Sequence, residues 1–396
     1  MTALQRGRHL LRRSRPGHSP AQRATMLVAH PSADLYGSDR VLLESVTGLV
    51  AAGWRVVATV PGPGPLVPEL TARGATVELC PAPVIRKSAL HPREFARFVL
   101  EVLRSLAPAY RLIARSGASE VYVNTITIPV WLVLGRLMGR TVTCHVHEAE
   151  GSASPLIRRL ISLPLVFASR IVVNSRFSLE VLSSAVPLLR RRSTVVYNGV
   201  RGPAAPVRAR AELEPPVRMM FVGRLSPRKG PQVAVAALAE LHRRGVPARL
   251  ALLGAVFEGY EWFEAELRAQ VSAAGLESSV DFLGFQPDVW PHLTRSDVVI
   301  VPSVVDEPFG NTAVEAVLAA RPLVVSATSG LREAAAGYAS AQSVEPDRPD
   351  LLADAVQSVI ADWDAYRTAA WTDAAVAAER HSVLRYQQEV IRVLES

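Results

Sequence analysis

The sequence predicts an α/β protein made of two doubly wound parallel sheets that face each other across a central cleft. Short strands, almost continuously apolar, alternate with helix-patterned stretches, as in parallel sheets covered on both faces. This alternation breaks once, at a Pro-, Ala- and Arg-rich stretch, and then restarts. At 396 residues the chain is also long for one core. Its composition, 49% apolar and 20% charged, is that of a packed α/β chain.

Taken in order, residues 1–25 read as a basic disordered tail, and 26–200 as a first Rossmann-like domain. MLVAHP is its first strand, followed by the turn DLYGSDR and the helix-patterned VLLESVTGLVAAG. WRVVATVP, ATVELC, EVYVNT, TVTCHVHE and RIVVNS supply further strands, with EFARFVLEVLRSLA and VWLVLGRLM helical between them. Residues 201–216 lack any amphipathic period and read as a linker. The second domain, 217–375, opens with RMMFVGRL and a helix GPQVAVAALAELHRRG. ARLALLG, VDFLG, DVVIVPS and PLVVS continue its strands, with YEWFEAELRAQVSAAG and NTAVEAVLAA as helices. The end, 376–396, reads as one amphipathic helix that can cross back to the first domain.

Charge and cysteine content narrow the function classes. The net charge is +8, but the tail carries six arginines and no acid, which leaves 38 basic against 36 acidic residues elsewhere. A nucleic-acid-binding fold is therefore not expected. The tail lacks the apolar core of a secretory signal, and no window approaches the roughly 20 apolar residues of a membrane-spanning helix. A cytoplasmic protein is expected. Two readings of the tail stand: a solvated start, or an arm touching the inner membrane face. Cys80 and Cys144 are too few for a disulfide framework or a metal site.

Three turns carry candidate chemistry. In FVGRLSPRKGP, Gly223 allows a tight turn, and Arg224 and Lys229 flank a loop that opens a helix. A helix N-terminus already favours an anion, so the two cations make a diphosphate clamp, or are simply solvated. In EPFGNTAVEAVLAA, Gly310 permits close backbone approach, and Asn311 or Thr312 can cap the helix. Glu315, placed in the first turn, could bond a pair of vicinal hydroxyls, and Glu307 those of a second sugar. The alternative is two solvated carboxylates favouring a helix dipole. In TCHVHEAEG, His145 and His147 share a face at a strand end, and packing competes there with function.

GRLSPRKG followed by EPFGNTAVEA, with NSRFSLEVL, VVYNGV and HSVLRYQQEVIRVLE, resembles the retaining glycosyltransferases of family 4. These are group 1 transferases of the glycogen synthase and mannosyltransferase type, with the GT-B fold. The resemblance covers nearly all of the chain except the tail. It implies that Arg224 and Lys229, with Gly223, bind a donor diphosphate, that Glu315 binds the ribose and that Glu307 contacts the donor sugar. The backbone of Phe309, Gly310, Asn311 and Thr312 would hold sugar hydroxyls and phosphate, and Phe285 would flank the base. His147 would reach the donor sugar from the other wall. The turn Leu35–Asp39 corresponds to the family's glycine-rich loop: Gly37 would lie by the donor, and Ser38 stands where a second glycine is common. Asp39 and Arg40 would meet the acceptor or cap the next helix, and His145 would lie on the acceptor side.

The expected activity is transfer of a sugar from a UDP- or GDP-sugar to a hydroxyl of a saccharide, lipid-linked or small-molecule acceptor, with retention. The nucleotide sugar is a co-substrate; no cofactor and no metal are expected, because cations and amides stabilise the leaving diphosphate. The alternative is a nucleotide-sugar 2-epimerase of the same architecture. An oxidoreductase is disfavoured, since DLYGSDR is not the dinucleotide fingerprint.

Overall fold

The computed structural model describes residues 24–35, 37–85, 92–149, 151–257 and 259–396. Most of the basic tail, together with Tyr36 of the first turn, lies outside the described residues; β1 already begins at Thr25, within the stretch assigned to the tail.

The first sheet runs from β1 (Thr25–Ala29) through β2 (Arg55–Val60), β3 (Thr76–Leu79), β4 (Ala118–Val123), β5 (Thr141–Val146) and β6 (Arg170–Val173) to β7 (Ser193–Val195). Its strands are parallel and ordered β3-β2-β1-β4-β5-β6-β7, so β1 and β4 flank the point where the chain reverses direction. The helices between them are α1 (Gly37–Ala51), α2 (Leu66–Ala72), α3 (Pro92–Ser116), α4 (Pro129–Leu137), α5 (Pro155–Ser162) and α6 (Arg176–Ala185).

The second sheet repeats the plan with β8 (Val217–Val222), β9 (Ala248–Leu253), β10 (Val280–Gly284), β11 (Val298–Val301), β12 (Leu323–Ser326) and β13 (Ala341–Val344). All are parallel, ordered β10-β9-β8-β11-β12-β13. Its helices are α7 (Pro231–Arg243), α8 (Glu261–Ala273), α9 (Trp290–Arg295), α10 (Asn311–Leu318), α11 (Ser329–Ala335) and α12 (Pro349–Ala361). Because the strands are covered on both faces, β11 is buried throughout, which is why its sequence, VVIV, shows no alternation.

The stretch read as one closing helix is two. Helix α13 (Trp363–Arg380) stops, and α14 (Val383–Glu395) begins after Ser382, whose hydroxyl accepts from the Arg385 amide at 3.4 Å. A serine at this position offers the backbone a cap in place of a continuous helix. The break redirects the chain. α14 packs on α1 of the first domain, burying Tyr386, Val390 and Leu394 against Val46 and Leu49. The Tyr386 and Ser45 hydroxyls meet at 2.5 Å, and Gln387 donates to Glu44 at 3.2 Å. Each of those buried apolar side chains contributes about 1.5–3 kcal/mol.

Candidate functional site

A cleft of about 330 Å³ opens between the carboxyl edges of the two sheets, where ligands of open α/β sheets bind. Its second-domain wall is built from the turns that follow β8, β9, β10 and β11. Gly223 and Gly254 stand back to back after β8 and β9, at φ +150° and +152°. A Cβ on Gly254 would sit 1.8 Å from the Gly223 carbonyl oxygen, so no other residue fits. The Arg224 guanidinium lies over the Phe257 ring, 3.1 Å from its centroid.

The loop after β11 carries the centre of the site. Lys229 Nζ lies 2.8 Å from Glu307 Oε1 and 2.9 Å from Oε2, and the Ser303 hydroxyl donates to the same carboxylate at 2.9 Å. Burial pushes the Glu307 carboxyl up, but Lys229, Arg228 and Ser303 outweigh it, and the net shift is downward. Glu307 is therefore an anion at neutral pH, 5% exposed. Arg228 donates to the Asp306 carbonyl and Ser329 holds the Glu307 backbone at both ends, N–H and C=O each at 3.1 Å. This loop is rigidly tied.

Helix α10 departs from the expected cap. Its N-cap is Gly310, at φ +118°, and no side chain caps it. Asn311 instead accepts from the Asn198 amide of the first domain at 2.8 Å. The first-turn amides of α10 are thus uncapped beside the cleft, where the helix dipole favours an anion. Glu315 lies one turn further in than expected, still lining the cleft. Burial pushes its carboxyl up, and Arg40 and Lys229 pull it part of the way back. Phe309 contributes backbone only, since its ring is buried against Tyr197 at 5.7 Å between centroids. Phe285 and Thr312 also line the cleft.

The first-domain wall brings Gly37, Ser38, Arg40 and His147 to the same space. Arg40 reaches across it and donates to the Pro287 carbonyl at 2.7 Å. His147 Nε2 donates to Asn124 Oδ1 at 3.0 Å, Asn124 Nδ2 donates to His30 Nδ1 at 3.1 Å, and His30 Nε2 donates to Asp39 Oδ1 at 2.6 Å. The Asn124 amide sets the directions in this chain: its Nδ2 can only donate, so His30 Nδ1 accepts and His30 presents its proton on Nε2 to Asp39. His147 therefore keeps its proton on Nε2 and turns the Nδ1 lone pair away from Asn124. Burial, then His30, pushes the His147 pKa down to about 3. Glu148 turns inward to accept from Thr125 and from the His147 amide, fixing the strand end.

Two expected site residues are not at the cleft. Asp39 is 2% exposed and does not line the cleft; it stands in the first turn of α1 and accepts from His30 and from the Ser32 hydroxyl. His145 is fully buried, bonded to the Tyr122 hydroxyl at 2.7 Å, with its ring centroid 4.0 Å from that of His147. It supports the His147 ring from below. Residues that the sequence reading passed over are Asn174 and Asn198, which follow β6 and β7 at the carboxyl edge and line the cleft. Asn198 Oδ1 is buried there without a partner among the described residues. The rule that placed the other turns, a polar residue just after a buried strand, marks Asn174 after β6; Asn198 stands three residues beyond the half-exposed β7 and carries no such mark. Among the described residues no cluster of three metal-ligating side chains occurs, and the chain's Asp-x-Asp pair, Asp362 and Asp364, brackets the start of α13 outside the cleft.

Two doubly wound sheets sharing a cleft with cations, carboxylates and an uncapped helix define the two-domain architecture of nucleotide-sugar enzymes. Residues 208–375 match the family described as glycosyl transferases group 1, and residues 36–201 the one described as glycosyltransferase family 4. The chain belongs to the group 1 glycosyltransferases of GT-B fold. A glycogen synthase of Mycobacterium tuberculosis is 34% identical over 173 residues, 43% of this chain and 40% of that one. A D-inositol 3-phosphate glycosyltransferase of Segniliparus rotundus is 29% identical over 259 residues, 58% of this chain and 55% of that one. The chain thus spans between 40% and 55% of the length of these two curated relatives. Among solved structures, Anabaena Alr3699/HepE in complex with UDP and glucose superposes with a TM-score of 0.77 at 22% identity, covering 94% of this chain and all of that one, which shows the fold. The relatives named here are transferases, and the isomerase alternative is not favoured.

Proposed function

We propose that the protein transfers a sugar from a UDP- or GDP-sugar to a hydroxyl of a saccharide, lipid-linked or small-molecule acceptor, with retention of anomeric configuration. The observation that carries this reading is the Lys229–Glu307 pair on the cleft floor, beside the uncapped start of α10 and the Glu315 carboxylate. A buried carboxylate and a partly exposed ammonium that neutralise each other at the cleft are a matched set for a ligand with both hydroxyls and a diphosphate. On donor binding Lys229 turns to the diphosphate with Arg224, and Glu307 accepts from sugar hydroxyls. Departure of the nucleoside diphosphate builds charge on its phosphates, which the two cations and the α10 amides stabilise. Glu315 accepts from the ribose, and the neutral His147 faces the donor sugar. The acceptor hydroxyl attacks on the face the leaving phosphate vacates, and the phosphate takes its proton. The same reading places the protein in the cytoplasm, with the basic residues before Thr25 able to touch the inner membrane face.

The test is thermal unfolding with UDP, GDP, ADP, dTDP and NAD, on wild type and Lys229→Ala, followed by turnover with the corresponding nucleotide sugar. At a hundredfold excess over Kd, one nucleoside diphosphate should stabilise wild type by about 2.7 kcal/mol and the variant far less. Glu307→Gln should lower kcat by about a hundredfold or more, on the scale of a lost transition-state contact. Failure of all five nucleotides to shift the transition, or near-normal turnover in both variants, would rule the assignment out.

A further inference from the structure

The outer face of the first domain carries a second feature, unrelated to the cleft. Helix α3 buries one side, through Ser105, Ala109 and Leu112, against the sheet. Its solvent side is not polar. Phe95, Val99, Leu100, Leu103, Leu106 and Tyr110 are between 36% and 58% exposed. At 100° per residue, five of these six fall within an arc of about 80°. Next to that stripe runs a row of exposed arginines: Arg93, Arg97, Arg104, Arg111 and Arg115. These project within an arc of about 40° along the opposite border of the apolar surface. Glu101 pairs with Arg97 at 3.1 Å and Glu78 with Arg115 at 2.7 Å. Arg93, Arg104 and Arg111 have no carboxylate in ion-pair range among the described residues.

The pattern continues over the neighbouring helices of the same sheet face. α3 packs on α4, α4 on the turn 163–167, and that turn on α5. Leu156 and Leu160, one turn apart on α5, are 68% and 57% exposed, beside Arg158 and Arg159. A contiguous exposed apolar stripe of this extent, bordered by cations, marks an interaction surface rather than ordinary surface leucines. Charge complementarity selects the occupant. A second copy of the chain would set arginine row against arginine row across a two-fold axis. The residues before Thr25 carry six arginines and no acid, so they cannot neutralise the row either. A negatively charged lipid surface satisfies both parts at once: apolar tips enter the headgroup layer, and arginine stems lie along it with their guanidinium groups on phosphate. Among the described residues no helix is long and apolar enough to cross a membrane, so the contact is one of lying on the surface.

We propose that the α3 face of the first domain, with the exposed leucines of α5, docks the protein on an anionic lipid surface. The inference does not depend on the proposed sugar transfer and is tested without it. The full chain is mixed with vesicles of phosphatidylcholine alone, and with vesicles of equal parts phosphatidylcholine and phosphatidylglycerol, and floated on a density gradient. Wild type should float with the anionic vesicles and stay behind with the neutral ones. Phe95→Ser/Leu103→Ser should lower the partition coefficient by about tenfold or more, from the loss of two buried apolar tips. Arg104→Glu/Arg111→Glu should do the same, and raising the salt should reverse wild-type binding. Thermal midpoints, expected to be unchanged at these exposed positions, are read for both variants. The proposal falls if wild type ignores anionic vesicles or floats equally with neutral ones. It falls too if neither variant loses binding, which would leave the contact to the residues before Thr25. A wild-type dimer that the Phe95→Ser/Leu103→Ser change converts to monomer without altering flotation would assign the face to a second copy.

Discussion

At the scale of residues, depth inside the fold decides what a titratable group does. The sequence places His145 and His147 on one strand face, and the structure separates them: the first is sealed under the Tyr122 and Tyr386 rings, the second opens on the cleft. Sequence spacing gives a face but not a depth, which is why His145 was placed on the acceptor side and Asp39 given an acceptor role as one of two alternatives, and neither lines the cleft. The turns with Gly223, Lys229, Glu307 and Glu315 were legible because each needs a residue type that packing alone does not supply. His381 gives a pH test. It lies beside the stacked Tyr197 and Phe309 rings, and burial, then Arg380, pushes its pKa down to about 4. An unfolded histidine titrates near 6.5, so the unfolded chain binds a proton the native one refuses. The contribution of the neutral ring is intact above about pH 6.5, shrinks as pH falls, and is gone below about 4, at up to about 1.4 kcal/mol per pH unit. His381→Phe should flatten the dependence of unfolding free energy on pH across that window. Urea titrations of both proteins at about pH 7 and about pH 5 measure it; equal slopes would refute it.

At the scale of elements, the apolar strands and amphipathic helices could be read from the sequence, and two of the four edge strands, β7 and β13, could not. β7 and β13 are three and four residues long, half-exposed, and carry Ser, Thr and Gln among their residues. Neither alternation nor an apolar run marks them, because each gains its place from the neighbouring strand. The His381–Ser382 break was hidden for a related reason: its apolar residues keep a helical spacing across the junction, and only the serine cap interrupts the backbone. The paired turns after β8 and β9 make a sharper claim. Gly254→Ala would force a side chain into the Gly223 carbonyl, at a φ that only glycine adopts readily. The loss in stability should be about 2 kcal/mol or more, and the donor Kd should rise with it, since both glycines line the cleft. Unfolding midpoints and nucleotide titration check the two effects together. A variant with wild-type stability and affinity would mean that the two turns part easily.

At the scale of the whole molecule, the two domains are joined by more than their linker. Glu333 of α11 accepts from the Arg176 amide at 2.9 Å and from the Tyr197 hydroxyl at 2.5 Å, so the start of a first-domain helix is capped by a second-domain carboxylate. Ser175, the N-cap of α6, also donates to the Pro308 carbonyl in the site loop at 2.5 Å. Any opening of the cleft must break these bonds, and the loop that carries Glu307 feels it directly. α14 ties the domains in the opposite sense, since it follows the second domain in sequence and completes the first in space. Ending the chain after His381 would remove Tyr386, Val390, Val393 and Leu394 from the first core. At about 1.5–3 kcal/mol each, that is about 6 kcal/mol or more, comparable to the stability of a whole domain. Limited proteolysis of the shortened chain should digest the first domain and spare the second. A first domain that survives would show that α1 needs no cover.

The placement of α14 also has a consequence in time. During synthesis the first domain leaves the ribosome long before the helix that covers α1 exists. Val46 and Leu49, which α14 seals in the finished protein, must wait for the second domain to be made. At about 5–20 residues per second, the wait is on the order of ten seconds or more. For that interval the nascent chain carries an open apolar groove of its own, a natural place for a chaperone to hold, and the arrival of α14 closes it.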